Sequence, residues 1–146
     1  METLDTTSVA EQIDRQECVK LLASEEVGRL AVVESGAALV LPINYVMDGD
    51  AVVFRTDPGT KLEAAMRAPV CFEVDHIDRQ TRSGWSVIVR GLAQEITTMD
   101  RRDVIERLWS LSLYPWISGS KSHLVRIAPH SITGRRIVTR AAVIDS

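Results

Sequence analysis

Three side chains suited to holding an anion stand close together in the segment Phe54-Arg55-Thr56-Asp57-Pro58-Gly59-Thr60-Lys61-Leu62. Arg55 offers a forked guanidinium, Thr56 a hydroxyl and Lys61 a point charge. The pattern reads as a strand ending at Thr56, a Pro-Gly turn, and a helix starting near Thr60. The first N–H groups of a helix lack intrahelical partners and carry positive partial charge. A phosphate suits such a convergence of donors. The alternative for the same residues is a solvated turn, with Arg55 in water and Lys61 decorating a helix. Lys61 fits that alternative poorly, because a cation in the first turn opposes the helix dipole. Gly-Lys-Ser/Thr is absent, so this is not a Walker loop.

The elements that must position this segment are legible around it. Asp14 and Glu17 have capping-box spacing, and Cys18, Leu21 and Leu22 repeat at helical spacing. Arg29 to Glu34 reads as a strand, Ser35-Gly36 as a turn, and residues 37–47 as a long apolar run. Asp48-Gly49-Asp50 signals a hairpin returning through Ala51 to Thr56. Pro42 is foreign to a central strand and predicts an edge, a bulge or a break in pairing. Thr60 to Arg67 is a short helix stopped by Pro69. Val70 to Asp75 and Trp85 to Ile96 alternate as strands, with a charged loop at 77–84 between them. Asp100 caps a helix to about Leu111. Leu124 to Ile127 and Ile132 to Val138 are the last strands. Six or seven strands with two or three peripheral helices predict a mainly β (α+β) fold, an antiparallel barrel.

The bulk numbers set bounds on function. The chain has 146 residues, one domain by size, and 45% hydrophobic residues suffice for a core without staples. Residues 1–12 are expected to be a flexible N-terminus, and 13–146 a single domain. A net charge of −3 gives no electrostatic support for nucleic acid. No apolar run is long enough for a membrane span, and the acidic start lacks a signal-peptide core. A cytoplasmic protein is expected.

Other reactive side chains carry weaker signals. Cys18 sits on the apolar stripe of the first helix, as an inert core thiol. Cys71 shares a strand face with Glu73 and Asp75, without spacing that marks a nucleophile. His76, His123 and His130 lack metal-ligand spacing, and no metal is expected. Trp85, Trp109 and Trp116 are first of all large rings to bury. No catalytic residue can be named.

Pro42-Ile43-Asn44-Tyr45, Asp48-Gly49, Val53-Phe54-Arg55-Thr56 and Gly59-Thr60-Lys61-Leu62 together resemble the flavin half of pyridoxamine 5'-phosphate oxidase-like split barrels. Val70-Cys71-Phe72-Glu73-Val74-Asp75 and Gly84-Trp85-Ser86-Val87-Ile88-Val89-Arg90-Gly91 continue the match in order, and Ile132-Thr133-Gly134-Arg135-Arg136 closes it. The resemblance spans residues 14–138. It points to the branch holding nitroimidazole-resistance proteins and small actinobacterial flavin-binding proteins.

That resemblance implies a six-stranded antiparallel split barrel and a homodimer with flavin, FMN first, at the subunit interface. Arg55, Thr56 and Lys61 would hold the phosphate, with Leu62 in the same segment. Pro42, Ile43 and Asn44 would lie along the isoalloxazine ring. Trp85 and Ser86 would close the site from the other subunit. The implied activity is that of a flavin-dependent oxidoreductase acting on a small molecule; a flavin-sequestering protein is the alternative. Deazaflavin, FAD and haem are further cofactors known in the superfamily. Pyridoxamine phosphate oxidation itself is not expected. The family's dedicated oxidases carry a longer Arg- and His-containing C-terminal segment than the one ending here at Ser146.

Overall fold

The computed structural model describes residues 4–56, 66–96, 103, 106 and 123–143. Its elements in order are β1 (Leu4–Ile13), α1 (Arg15–Ala23), β2 (Val27–Glu34), β3 (Ala37–Asn44), β4 (Val46–Asp48), β5 (Ala51–Thr56), β6 (Val70–Asp78), β7 (Ser83–Ile96) and β8 (His123–Val143). Every pairing is antiparallel, in the order β3-β2-β6-β7-β8-β5-β4, with β1 added on β8. The helices expected at 60–67 and 100–111 fall largely outside the described residues.

Local chemistry sets the corners. The Asp14 carboxylate accepts the Glu17 N–H at 2.8 Å and starts α1, as its spacing predicts. Ser35 and Gly36 both have positive φ and close the β2–β3 hairpin in two residues, the geometry that matches strand twist. Gly49 does the same between β4 and β5. Asp78 accepts the N–H groups of Gln80 and Thr81, which tightens the β6–β7 turn. The strands therefore run further into the 77–84 loop than the alternation alone suggests.

Eight strands stand among the described residues, not six. The long apolar run breaks at Tyr45 into β3 and β4. Tyr45 is buried; its hydroxyl donates to the Leu22 carbonyl and its N–H to Glu26. The N-terminal segment, expected to be flexible, forms β1 along the far half of β8. A polar strand can form there because β8 is 21 residues long and offers a free ladder of backbone groups. The two short strands expected at 124–127 and 132–138 are one continuous β8. Its pairing shifts register at Arg90/Gly91, and Gly91 is required there: a Cβ would lie 2.0 Å from the Ala128 carbonyl oxygen.

One face of the sheet encloses the core. Leu30, Phe54, Phe72, Val74, Val87, Val89 and Ile127 are fully buried, with Leu22 and Cys18 of α1 capping them. Tyr45 meets the edge of Phe72 at 4.9 Å. Val53 and Leu124 form a second, smaller cluster. Pro42 lies on β3, which pairs with β2 alone among the described residues, so its missing N–H breaks no ladder.

Candidate functional site

Thr56 ends β5, and it is the one polar side chain named within the buried set of described residues. A pocket of about 190 Å³ opens beside it, lined by Thr56, Met66, Arg67, Ala93, Gln94, Glu95 and Val125. The Nε of Arg126 is buried, with no hydrogen-bond partner among the described residues. Arg126 stands opposite both Val53 and Gln94 in the ladders, three positions along from Thr56 and on the other face of the sheet. A buried hydroxyl at Thr56 and an exposed guanidinium at Arg67 thus meet in the pocket at the end of β5. These donors fit a phosphate group. Sequence reading missed Arg67; Arg126, with Arg29 and Lys121, is a sequence candidate for an extra cation toward the longer acidic tail of a deazaflavin. The pairing of β5 with β8 sets Arg126 on the face away from Thr56, and no local motif marks Arg67.

Arg55 and Asn44 are half-buried at the same corner. Val46 pairs with Val53, so the chain through Tyr45 sets Asn44 level with Arg55. Pro42 and Ile43 precede it on β3, Pro42 exposed and Ile43 packed against the core. Lys61 and Leu62 lie outside the described residues.

Trp85 and Ser86 lie elsewhere. Arg55 is level with Leu124 and Ile96, whereas Trp85 and Ser86 pair with Arg136 and Arg135. Ten residues of β7, about 33 Å of strand, separate Ser86 from Ile96. The two residues also face opposite sides. Trp85 packs partly against the core, and Ser86 faces outward. Within one chain the described members of the predicted set therefore form two groups.

An ion cluster occupies the outer face between Pro42 and Ile88. Arg29 Nη1 donates to Glu73 Oε1 at 3.1 Å and to Asp75 Oδ2 at 2.9 Å. Arg29 pairs with Pro42 on one side and Glu73 on the other. Burial, a hydrogen bond with Asp75 and the Asp75 charge push the Glu73 carboxyl up to about 7, against the pull of Arg29. Glu73 can thus hold or release a proton near neutral pH. Cys18 is fully buried, and desolvation first, then Asp14 and Glu17, push its thiol up. It is inert, as its place on the helical stripe predicts. No group of His, Cys, Asp or Glu suited to a metal exists among the described residues. None of the described helices is long and apolar enough to cross a membrane.

An antiparallel split barrel with a donor-lined pocket at one strand end defines the class. Residues 14–136 match the family model described as pyridoxamine 5'-phosphate oxidase, and the chain belongs to that family. The structure is similar to that of the FAD binding protein from Mycobacterium smegmatis, with 38% identity, TM-score 0.70, and 86% of this chain and 98% of that one covered. It is similar to an FAD-binding protein from Mesorhizobium loti, with 30% identity, TM-score 0.73, and 88% and 98% covered. It shares its fold with a protein from Bacteroides thetaiotaomicron described as a "putative 5-nitroimidazole antibiotic resistance protein", at 16% identity and TM-score 0.73, with 97% and 96% covered.

Proposed function

We propose that this chain binds a flavin nucleotide, with the flavin phosphate at the end of β5, and acts as a flavin-dependent oxidoreductase on a small molecule. The observation that carries the reading is the pocket beside buried Thr56, with Arg67 on its wall. Arg55 and Lys61 complete the cationic set. FMN and FAD share this phosphate. FAD gains support from the two similar proteins described as FAD-binding, at 38% and 30% identity.

When bound, the flavin supplies hydride or electron transfer. The chain's own residues bind and orient it. Thr56 and the arginines hold phosphate oxygens. Pro42, Ile43 and Asn44 offer a strand edge for the ring, and Pro42 leaves a gap in the backbone donors there. Glu73, beside Arg29 and one strand from Pro42, is a group able to hold a proton near neutral pH. Trp85 and Ser86 lie at the far end of β7, so a homodimer is the arrangement that brings them over a partner's flavin.

The purified protein's absorbance spectrum tests the cofactor. A two-band oxidised-flavin spectrum is expected, and a Soret band would instead mean haem. Arg55→Ala with Lys61→Ala should strip the flavin while leaving the far-ultraviolet circular dichroism intact. Undiminished flavin in that variant refutes the phosphate assignment. Stopped-flow mixing with a reduced nicotinamide cofactor tests turnover; a flavin never reduced by it favours sequestration over catalysis for that donor.

A further inference from the structure

Four outer-face residues stand in one line across four strands. Ile88 of β7 pairs with Glu73 of β6, Glu73 with Arg29 of β2, and Arg29 with Pro42 of β3. Paired residues share a face, so the line lies on the outside of the barrel and spans about 14 Å. Ser86 and Asn44 sit two residues further along β7 and β3, in the same direction. At the middle of the line Arg29 holds Glu73 at 3.1 Å and Asp75 at 2.9 Å. One guanidinium for two carboxylates leaves one negative charge in excess when both are ionised.

The homodimer reading, on which this inference rests, decides what meets that cluster. Ser86 of one copy closes the flavin site proposed on β3 of the other only if β7 of each copy lies over β3 of its partner. Two-fold symmetry makes the exchange mutual. The dyad then falls midway between Ile88 and Pro42, which is between Glu73 and Arg29. Folded over that axis, Glu73 of one copy lies over the partner's Arg29, and Arg29 over the partner's Glu73. The surface agrees, because Val33, Val40 and Pro42 of the same face are apolar and exposed. The other ionisable groups around Glu73 are few. Asp75 and Cys71 are its neighbours on β6. Arg90 of β7 stands opposite Cys71 and has no carboxylate partner among the described residues. Arg135 of β8 is one strand further off, opposite Ser86, and β3 carries no charged residue.

We infer that the two copies close over this axis by taking up one proton each on Glu73, so that the dimer, with both flavin sites, tightens as pH falls through neutrality and loosens as pH rises. Joining the copies brings two guanidiniums and four carboxylates together and excludes water. With Glu73 ionised in both copies, two negative charges stay uncompensated; with Glu73 protonated in both, the charges balance. An unbalanced buried charge is costly, and protonation relieves it. The Glu73 carboxyl is already pushed up to about 7 within one chain, so water at neutral pH supplies the proton. The dimer raises it further. Association is therefore at full strength below about 7 and is lost as pH climbs above that value.

The test is sedimentation of the full chain as purified, over a dilution series at about pH 6 and about pH 8.5, with flavin content read by absorbance in each sample. The dimer Kd should rise at least about tenfold between the two, since two protons are linked to each dimer. Glu73→Gln has no proton to lose and should hold its Kd within about threefold across the range. Asp75→Asn balances the cluster with Glu73 ionised and should flatten the response in the same way, which keeps the test open if Glu73→Gln fails to fold. A dimer whose Kd ignores pH overturns the inference and leaves the homodimer reading standing. A slope as steep in a folded variant as in wild type does the same. A chain that stays monomeric at both pH values overturns both.

Discussion

Gly28 is a place where one methyl group should disturb both the core and the cofactor strand. It lies on β2 opposite Ile43 of β3. A Cβ built there would sit 2.2 Å from Phe72 Cζ and 2.8 Å from both Cε atoms. Ordinary carbon contacts are about 3.5–4.0 Å, so the ring must retreat by more than about 1 Å. It has little room to do so. Phe72 is fully buried and its ring meets Tyr45, whose hydroxyl is anchored on Leu22. Overpacking of this kind costs about 1–3 kcal/mol, and a rigid ring puts Gly28→Ala near the top. The lower backbone entropy of alanine returns about 0.4–1 kcal/mol. A net loss of about 2 kcal/mol follows, or about 4–8 °C in Tm at this chain length. Urea unfolding gives the free energy directly. The decisive assay is a double-mutant cycle with Phe72→Leu, which removes the atoms in the way. Phe72→Leu alone should destabilise. In the Gly28→Ala background it should cost at least about 1 kcal/mol less, or even stabilise. Because Tyr45 joins Asn44 to Val46, the single Gly28→Ala variant should also bind flavin more weakly. Strictly additive effects, or a Gly28→Ala protein as stable as wild type, would refute this packing argument.

Three further outcomes are expected. Glu73 has a folded pKa of about 7 against an ordinary 4.5, so between those values the folded state binds more protons than the unfolded one. Stability should therefore fall as pH rises from about 4.5 to 7, by about 1–2 kcal/mol once the partial exposure of Glu73 is allowed for. Urea midpoints across that range should show the decline, and Glu73→Gln should flatten it; an equal slope in the variant would count against the cluster. Tyr45→Phe should cost about 1–2 kcal/mol by leaving the Leu22 carbonyl without its donor, read in the same unfolding assay. A thiol reagent should label half-buried Cys71 in the native protein and reach Cys18 only on unfolding; rapid native labelling of Cys18 would contradict its packing under α1.

Much of this protein is written locally. The Asp14 cap, the Ser35-Gly36 and Asp48-Gly49-Asp50 turns, and the alternation of Val70–Asp75 and Trp85–Ile96 depend on neighbours within a few residues, and each forms as the sequence predicts. Pro42 on an edge strand follows from its missing N–H. The order of motifs along the chain was enough for the family. The tertiary structure decided what depends on pairing over long separations. The strand status of residues 4–13 required the exposed ladder of β8, which polar residues do not announce. The break at Tyr45 required a buried acceptor on α1. The β5–β8 register sets Arg126 on the face away from Thr56, and Arg90 and Arg135 share a face only through β7 and β8. The strand end at Thr56 was readable because the alternation that marks it is local. The distance between that strand end and Trp85 and Ser86 came only from the β7–β8 register, because no spacing in sequence says which end of a long strand a residue will occupy.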